Sequence, residues 1–488
     1  GQGERMQYYN KGTGKIEVGW GTTEHSYGGL QCNLTGSSIA RYFIWDLIRG
    51  LDYLESLPDV DPDRLGITGN SGGGTQTSYM MLMDERLKVA VPCCYITSRE
   101  EYMKTGQAHD SEQNIYGAIV EGINNDDFIS AFAPKPALIG AVESDFFCVE
   151  GTLASYARAK HVYSLYDSID NISLCLVEGV HGYNDGLRQG AVNWFLRHLK
   201  GEDREFVTDL ELLETLICEP EELWCTKKGQ VKAEFDDVRT IFEMNKEYFN
   251  ENRYSPIEDI DMLRQRMDRV LNMPKEKSNI YPRIICTEQV DDIEVSKIFF
   301  PSQRDIMVSG LYMSKQEDSH NCTILVLDGG TNSVGEEQHL IDKLLDRGDV
   351  FVFDPRGVGA VKSRNINSRD YSDIYGTEYK LNSDAIMMKT SLTALRTYDV
   401  IRAYDFINLK YPDMKVSFAC QGISALYATV YIDAIDKVYL MDMIDSFEDL
   451  INTEFYDFNI GYEIYGILKE FDIPEIICVL ETKIDRSL

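Results

Sequence analysis

The sequence predicts an α/β protein with two doubly wound, mostly parallel sheets that are joined by a helical connector. Three observations lead to this prediction. Short apolar segments alternate with longer amphipathic ones over 37–199, which is typical of strands and crossover helices in a parallel sheet. The stretch 201–280 is charged and helix-rich, without that alternation. A second strand-rich region begins near 284 and repeats segments of the first in the same order.

The first half is assigned element by element from its hydrophobic pattern. From Ile44 to Leu54, apolar residues recur at spacings of three and four, which places them on one face of an amphipathic helix over 37–54. Short apolar runs that end at turn residues predict buried strands. These rules predict strands at 65–68, 89–92, 137–142 and 172–177, and further helices at 75–83, 152–166 and 187–199.

The second half begins with a predicted hairpin. The segments 293–300 and 306–313 form its two strands, and 323–327 and 350–353 are short buried strands. Each of the last two ends in a glycine-containing turn, as strands do when the chain must reverse direction tightly.

Four segments of the second half match the first half in order, at a slowly drifting offset. A diverged tandem duplication produces such a pattern, whereas chance rarely gives several matches in sequence. We therefore expect a catalytic domain over 1–200, a helical connector over 201–283 and a second, degenerate domain over 284–488. The matching pairs are 357–359 with 1–3, 399–407 with 46–54, 418–422 with 68–72, and 437–438 with 88–89.

The repeat also suggests that both copies are truncated. The first copy begins at a point where the second already has four predicted strands behind it. We therefore expect the first domain to lack its first strands. The second copy reaches 474–488 without a recognisable counterpart of the strand at 137–142, so we expect it to lack its last strands.

Composition excludes some function classes. The net charge of −32 disfavours binding to nucleic-acid phosphates or anionic lipid. No apolar stretch approaches the roughly 18–20 residues that a membrane span needs. The composition itself indicates nothing about the substrate, which we expect to be a small-molecule or oligosaccharide ester.

The 11 cysteines are scattered without metal-ligand spacing, which predicts reduced thiols and no zinc site. They favour a cytoplasmic location. Secretion stays an alternative, because the sequence starts at Gly1 within the segment 1–3 that matches 357–359. There is no phosphate-binding loop either, so we expect neither metal nor cofactor.

The most informative segment is Gly69-Asn70-Ser71-Gly72-Gly73. It has the G-x-S-x-G form, follows a predicted strand and precedes a predicted helix. This is the context of a nucleophile elbow, in which a strained turn exposes the serine hydroxyl. Ser71 is then the nucleophile, and the N–H of Gly72 is one donor to the oxyanion. The competing interpretation is a glycine-rich turn with an ordinary serine.

A serine nucleophile needs a base and an acid, which follow it in the order Ser, Asp or Glu, His in this type of fold. Among the 7 histidines, His181 alone follows a strand end and lies in a glycine-rich turn, so it is the predicted base. The acid is expected after the strand at 137–142. Asp145 is our choice, with Glu143 and Glu150 as alternatives.

The second copy has no usable nucleophile at the matching position. Gln421 stands where Ser71 stands in the first copy, and an amide cannot be activated by a base. Cys420 lies one residue early, so its side chain would point elsewhere. The second oxyanion donor normally comes from the loop after the third strand. In this copy that loop is 328–330, whereas in the first it would precede Gly1.

These segments together resemble a known family. The sequence is similar to bacterial α/β-hydrolases of the acetyl xylan esterase-like group, relatives of dienelactone hydrolases and prolyl-oligopeptidase-type enzymes. The resemblance covers about 1–200 well, and the rest resembles tandem, two-lobed members. The segments that carry it are 46–54, 62–74, 112–114, 145–147 and the turn around His181.

The resemblance implies a serine esterase that removes acetyl or similar acyl groups from plant-type polysaccharide or oligosaccharide. It also implies Ser71, Asp145 and His181 as the catalytic triad. Two alternatives remain open. A prolyl-oligopeptidase-type serine peptidase would have the same triad. A non-catalytic binding protein would have two inactive lobes, as Gln421 makes conceivable for one of them.

Overall fold

The computed structural model describes residues 3–209, 218–315 and 319–488. The chain divides into two compact units. Unit 1 comprises Gly1–Leu30 and Ser37–Met244, and unit 2 comprises Gln31–Gly36 and Asn245–Leu488. The boundary at Met244 falls inside the stretch 201–283 that the sequence predicts as a helical connector. Among the described helices, none combines the length and the apolar character needed to cross a membrane.

Unit 1 contains a parallel sheet with helices between its strands. Its strands are β1 (Tyr9–Asn10), β2 (Lys15–Ile16), β3 (Leu65–Asn70), β4 (Leu87–Cys93), β5 (Ala137–Ser144) and β6 (Ile172–Val180). Its helices are α1 (Thr22–Leu34), whose last residues belong to unit 2, α2 (Ala40–Glu55), α3 (Gly72–Met83), α4 (Arg99–Tyr102), α5 (Asn125–Phe132), α6 (Val149–Leu165), α7 (Asp185–Phe195) and α8 (Val231–Glu234).

Within the described part of unit 1, the main sheet has four strands in the order β3-β4-β5-β6. All three neighbouring pairs are parallel. Alternate residues of β4 face opposite layers of helices. Ala90 packs in a cluster with Leu51 of α2, whereas Val91 packs in another with Leu187 of α7. The predicted doubly wound sheet is therefore present here, and every strand and helix predicted between 37 and 199 has a counterpart.

Unit 2 begins in a helix and continues through a large sheet. Its helices are α9 (Ile241–Glu251), which starts in unit 1, α10 (Ile260–Leu271), α11 (Gln338–Leu345), α12 (Thr377–Met387), α13 (Leu392–Lys410), α14 (Ile423–Val430), α15 (Phe447–Asn452) and α16 (Ile473–Val479). Its strands are β7 (Arg283–Val290), β8 (Ile293–Gln303), β9 (Ile306–Ser314), β10 (Asn321–Val326), β11 (Asp349–Asp354), β12 (Lys415–Cys420), β13 (Ile435–Leu440) and β14 (Ile484–Asp485).

The sheet of unit 2 is mixed, which corrects the expectation of a second mostly parallel sheet. In the part of unit 2 that the structure describes, its order is β14-β13-β12-β10-β11-β9-β8-β7. The strands from β14 to β11 are parallel. The pairs β11–β9, β9–β8 and β8–β7 are antiparallel. Short turns between consecutive strands force β7 and β8, and β8 and β9, to run antiparallel, and β9 joins this antiparallel part to β11.

Strand β14 corrects a second expectation. The sequence suggests that the second copy contains no counterpart of the strand at 137–142, yet Val438 of β13 pairs in parallel with Ile484 of β14. This strand has two residues, which is too few to give a hydrophobic pattern. The order β12-α14-β13-β14 in unit 2 thus resembles the order β3-α3-β4-β5 in unit 1.

A buried carboxyl group in unit 2 makes the stability of this unit depend on pH. Glu463 is 5% exposed, and its carboxyl oxygens accept hydrogen bonds from Asn33 at 2.7 Å and Asn382 at 3.1 Å. Burial raises the pKa of Glu463 from about 4.5 to about 7, against the lowering effect of the two asparagines. The folded state therefore holds this proton at pH values where the unfolded chain has lost it.

We predict that the free energy of unfolding falls as the pH rises from about 4.5 to about 7. A raised folded-state pKa contributes stability that is complete below the unfolded value and is lost through the folded one, here about 3 kcal/mol in total. Urea unfolding across this range measures it. Glu463→Gln should flatten the pH dependence, and Glu251→Gln at an exposed position of α9 should leave it unchanged. An equal slope in all three proteins would contradict the assignment.

Candidate active site

The turn between β3 and α3 carries Ser71 in a backbone conformation that few residues adopt. Ser71 has φ 59° and ψ −119°, a region that costs on the order of 1–3 kcal/mol for a residue with a Cβ. Its N–H donates to the carbonyl oxygen of Cys93 at 3.0 Å, and its carbonyl accepts from the N–H of Thr75 at 2.9 Å. The neighbouring strand and the first turn of α3 therefore fix this serine at the carboxyl end of β3.

Glycine is required in this turn where a side chain would meet backbone. A Cβ on Gly69 would lie 2.5 Å from the carbonyl carbon and oxygen of Gly73. A Cβ on Gly74 would lie 2.4 Å from the carbonyl oxygen of Cys93. In contrast, no heavy atom lies within 4 Å of the Cβ position of Gly73. The close approach of β3 to α3 thus requires glycine at 69, whereas position 73 contributes only its backbone.

Asp145 and His181 meet at the same edge of the sheet as Ser71. Each follows its strand by one residue, Asp145 after β5 and His181 after β6, and the carboxyl ends of parallel strands share one edge. Nδ1 of His181 lies 2.8 Å from Oδ1 of Asp145. The Asp145 side chain is 2% exposed and the imidazole 23%. The same Oδ1 accepts from the N–H of Phe147 at 3.1 Å, which orients the carboxylate.

The turn that carries His181 is attached to β3 and β4. The hydroxyl of Tyr183 lies 2.9 Å from Oγ1 of Thr68, which is three residues before Ser71. The carbonyl of Gly182 accepts from the thiol of Cys94 at 3.7 Å. These contacts bring the predicted base to the strand that carries the predicted nucleophile.

The other residues predicted for the site are the alternative acids Glu143 and Glu150 and the oxyanion donor Gly72. Glu143 and Glu150 are exposed, and Asp145, rather than either of them, contacts the imidazole. Gly72 is the first residue of α3. The first N–H groups of a helix have no acceptor within that helix, so the N–H of Gly72 points out of the helix end beside Ser71.

Cys94 is a neighbour of this pair that the sequence analysis does not identify. Its sulfur, a carboxylate oxygen of Asp145 and a ring nitrogen of His181 all lie within 4.8 Å of one another. Burial raises the pKa of Cys94 to about 12, and the charge of Asp145 adds to the effect. Because metals bind the thiolate, a thiol held neutral is a poor ligand. The sequence feature that could have identified Cys94 is its position directly after the strand β4.

A second cluster of ligand-type side chains lies elsewhere in unit 1. His25, Asp110 and Glu112 have donor atoms within 4.8 Å of one another, and Nδ1 of His25 lies 3.1 Å from Oε1 of Glu112. Burial lowers the pKa of His25, but the hydrogen bond and charge of Glu112 outweigh it and the pKa is raised. A raised pKa favours the protonated imidazole, which pairs with the carboxylate and offers no lone pair at that nitrogen to a metal.

An aromatic wall extends from the His181 side of the site. The ring of Phe146 lies 4.3 Å from that of His181, and Phe147 lies 5.9 Å from it. Tyr102 stacks on Phe147 at 5.3 Å and on His109 at 4.1 Å. Phe146 is 41% exposed. The wall offers an apolar face beside the imidazole, and the sequence gives no periodic pattern that would have identified it.

Gln113 connects this wall to the helix after the elbow. Its Oε1 lies 3.0 Å from Nδ1 of His109, and its Nε2 donates to Oγ1 of Thr75 at 3.1 Å. The segment 112–114 carries part of the family resemblance, and the structure gives Gln113 a role in holding the wall against α3.

In unit 2, the position that matches Ser71 has different geometry. Gln421 follows β12 and is not among the residues with positive φ. Its backbone N–H donates to the carbonyl of Val326 at 3.2 Å. Its side-chain Oε1 accepts from the backbone N–H of Asp328 at 3.0 Å. The side chain therefore occupies a donor of the loop at 328–330, which the sequence analysis associates with oxyanion binding.

Comparison with protein families gives a direct match to part of unit 1. Residues 40–168 match the model of the prolyl oligopeptidase family, Peptidase_S9. This match confirms the resemblance to α/β-hydrolases of the prolyl oligopeptidase type. The matched range contains Ser71 and Asp145, and the parallel sheet of unit 1 agrees with an α/β-hydrolase-like fold.

One curated relative and two solved structures extend the comparison. YtaP of Bacillus subtilis (strain 168), a candidate hydrolase by name, is 33% identical over 107 residues, which span 22% of this chain and 36% of that protein. A candidate acetyl xylan esterase of Bacteroides fragilis NCTC 9343 has a TM-score of 0.42 at 11% identity and covers 51% of this chain and 75% of that one.

The second structure is a carbohydrate esterase family 15 glucuronoyl esterase from Caldicellulosiruptor kristjansonii. It has a TM-score of 0.32 at 20% identity and covers 42% of this chain and 57% of that one. Both structural likenesses are weak. The assignment of the fold of unit 1 is therefore based on its own parallel sheet and on the family match.

We predict that Gly69→Ala damages the elbow while Gly73→Ala does not. The methyl group at 69 must displace the backbone of Gly73, at a cost of about 1–3 kcal/mol or more, and this would move Ser71. At 73 the methyl group enters open space. Thermal unfolding of the two variants measures the difference. Equal melting temperatures would contradict the close approach described above.

Proposed function

We propose that this protein is a serine carboxylic-ester hydrolase that works through an acyl-enzyme. Ser71 attacks the ester carbonyl, His181 takes the hydroxyl proton and returns it to the leaving alcohol, and Asp145 orients the imidazole. The N–H of Gly72 donates to the oxyanion. Water then repeats these steps to release the acid. The residues in these roles need neither a metal nor a cofactor.

The observation that carries this proposal is the hydrogen bond between His181 and Asp145, together with the strained conformation of Ser71. With Nδ1 donating to the carboxylate, the Nε2 atom of His181 is left as the proton acceptor. The buried carboxylate also stabilises the imidazolium that forms during attack. The positive φ of Ser71 is typical of a serine whose hydroxyl is exposed above a sheet.

We further propose that the substrate is an acylated carbohydrate, with acetyl as the favoured acyl group. Support comes from the similarity of 46–54, 62–74 and 145–147 to acetyl xylan esterase-like proteins. The exposed ring of Phe146 beside His181 adds a physical reason. An aromatic face can hold the apolar face of a sugar ring while the ester carbonyl reaches Ser71.

A serine peptidase is the second candidate function, because residues 40–168 match a family described as prolyl oligopeptidase. Its triad would be the same, so substrate preference decides between the two. Turnover of acetylated xylo-oligosaccharides without cleavage of proline-containing peptide anilides favours the esterase. The reverse preference would replace it with the peptidase.

We also propose that unit 2 is a degenerate copy of unit 1, which extends the predicted domain scheme of 1–200, 201–283 and 284–488. The shared order of β12-α14-β13-β14 and β3-α3-β4-β5 supports this, as do the matching sequence segments. Gln421 gives two reasons why unit 2 would have no hydrolase activity. It offers no nucleophile, and its side chain holds the N–H of Asp328.

We predict that Ser71→Ala lowers kcat for p-nitrophenyl acetate by on the order of 10⁴-fold or more, because it removes the nucleophile. Steady-state hydrolysis by the full chain measures the effect. Ser56→Ala, at an exposed helix end, is the matched control and should keep the parent rate. A Ser71→Ala protein that turns over at the parent rate would exclude this mechanism. An inactive parent protein would favour the non-catalytic alternative.

We predict that Asp145→Asn lowers kcat by about 10⁴-fold with a smaller change in KM, because the amide no longer holds the imidazole in the productive tautomer. Glu143→Gln provides the control, since Glu143 is exposed in β5, the strand that Asp145 directly follows. If Glu143→Gln were the impaired variant, the acid would have to be reassigned.

A further inference from the structure

Unit 2 contains a polar cavity at the carboxyl ends of its central parallel strands. Its volume is about 300 Å³, near the lower limit for small-molecule sites. It lies where β10 is placed between β11 and β12, a switch point of the kind at which open α/β sheets bind ligands. We propose that this cavity binds a neutral, polyhydroxylated ligand of the size of a mono- or disaccharide. The proposal concerns unit 2 and does not depend on Ser71.

A buried ion pair forms one wall of the cavity. Oε1 of Glu378 lies 2.7 Å from the guanidinium of Arg396, and both side chains are 9% exposed. Nε of Arg396 donates to the carbonyl of Arg356 at 3.2 Å. Both charged groups line the cavity. A guanidinium and a carboxylate held in fixed positions present strong donors and acceptors to a ligand hydroxyl.

Asp328 and Lys362 add a second pair of charged groups to the lining. The carboxylate of Asp328 accepts from the hydroxyl of Tyr462 at 2.6 Å. Nζ of Lys362 lies 4.2 Å from the ring centroid of Tyr371, and its residue is exposed. The structure gives Lys362 no carboxylate partner among the described residues. Both groups line the cavity, and Tyr371 and Tyr462 add aromatic surface.

The charges of the lining decide the class of ligand. Asp328 and Glu378 are balanced by Lys362 and Arg396, so the cavity carries no net charge. An anion site would need an excess of cationic groups, and a cation site an excess of carboxylates. Cationic donors and carboxylate acceptors in one cavity suit a ligand with several hydroxyl groups, since each hydroxyl both donates and accepts.

The rim of the cavity is held in place by a buried carboxylate. Asp354 is fully buried and accepts from the N–H of Thr331 at 2.6 Å and the N–H of Ala360 at 2.9 Å. Gly330 and Gly359 have positive φ, and a Cβ on either would lie within about 2.2 Å of Asp354. The two rim loops are thus fixed together, and a fixed site loses less entropy on binding.

The position of unit 2 that matches Ser71 carries Gln421, which is not a nucleophile. Gln421 holds the N–H of Asp328, so an acyl oxygen cannot use that donor. A site with intact recognition groups and no nucleophile binds its ligand without cleaving it. Unit 2 would then add a carbohydrate-binding function to the chain.

The test is isothermal titration calorimetry on the full chain with D-xylose, D-glucose, xylobiose and cellobiose, and with acetate and inorganic phosphate. At ligand concentrations on the order of 10 mM, Kd values in the millimolar range are measurable. We expect at least one neutral sugar to bind. Lys362→Met and Asp328→Ala should each weaken that binding by about 10-fold, the effect of losing a charge-assisted hydrogen bond.

Lys343→Met, at an exposed position of α11, is the matched control and should bind sugar like the parent. Circular dichroism melting of each variant separates loss of binding from loss of folding. Because Lys362 is exposed, we expect Lys362→Met to keep the parent melting temperature. Binding of phosphate or acetate but no sugar would overturn the proposal. So would sugar binding that persists in both cavity variants, or no binding by any of these compounds. Sugar binding lost in the cavity variants would support it even if Ser71→Ala leaves ester hydrolysis unchanged.

Discussion

The backbone of β3 approaches the first turn of α3 so closely at Gly69 that no side chain fits between them. This approach keeps Ser71 at positive φ and leaves its hydroxyl at the strand end, where the N–H of Gly72 also lies. Asp145 and His181 lie at the same edge of the sheet because they directly follow the parallel strands β5 and β6, and the contact between Tyr183 and Thr68 attaches the His181 turn to β3. If the turn relaxed, Ser71 would change its position relative to Asp145 and His181. The hydrogen bond between Asp145 and His181 could still form.

The two units illustrate how the same strand-turn-helix arrangement can carry different chemistry. In unit 1 the turn residue is strained and the imidazole–carboxylate pair lies at the same edge of the sheet. In unit 2 the turn residue Gln421 is unstrained, and its side chain satisfies the N–H of Asp328. The cavity of unit 2 nevertheless keeps four charged groups at its wall. If both proposals for unit 2 hold, this unit has no nucleophile and still has a ligand site.

Local patterns predicted β3 to β6 and the helices α2, α3, α6 and α7 of unit 1, but not its shorter strands β1 and β2 or the helices α1, α4, α5 and α8. The order of the strands along the chain also predicted the pairing of Asp145 with His181. The mixed sheet and the short strand β14 could not be predicted, since pairing direction depends on tertiary contacts and two residues have no periodicity. Cys94, Phe146 and His109 were missed because they come together only through folding. The cavity of unit 2 has the same origin, as its charged groups come from separate loops and helices.

The most direct test of the account is the reaction of the full chain with a fluorophosphonate, followed by intact mass measurement and peptide mapping. An activated serine hydroxyl forms a stable phosphonyl ester, whereas ordinary serines do not react. We predict one adduct per chain, located on Ser71, because unit 2 has glutamine at the matching position. An unmodified chain, or an adduct on a serine other than Ser71, would contradict the assignment of a single active site at the turn between β3 and α3.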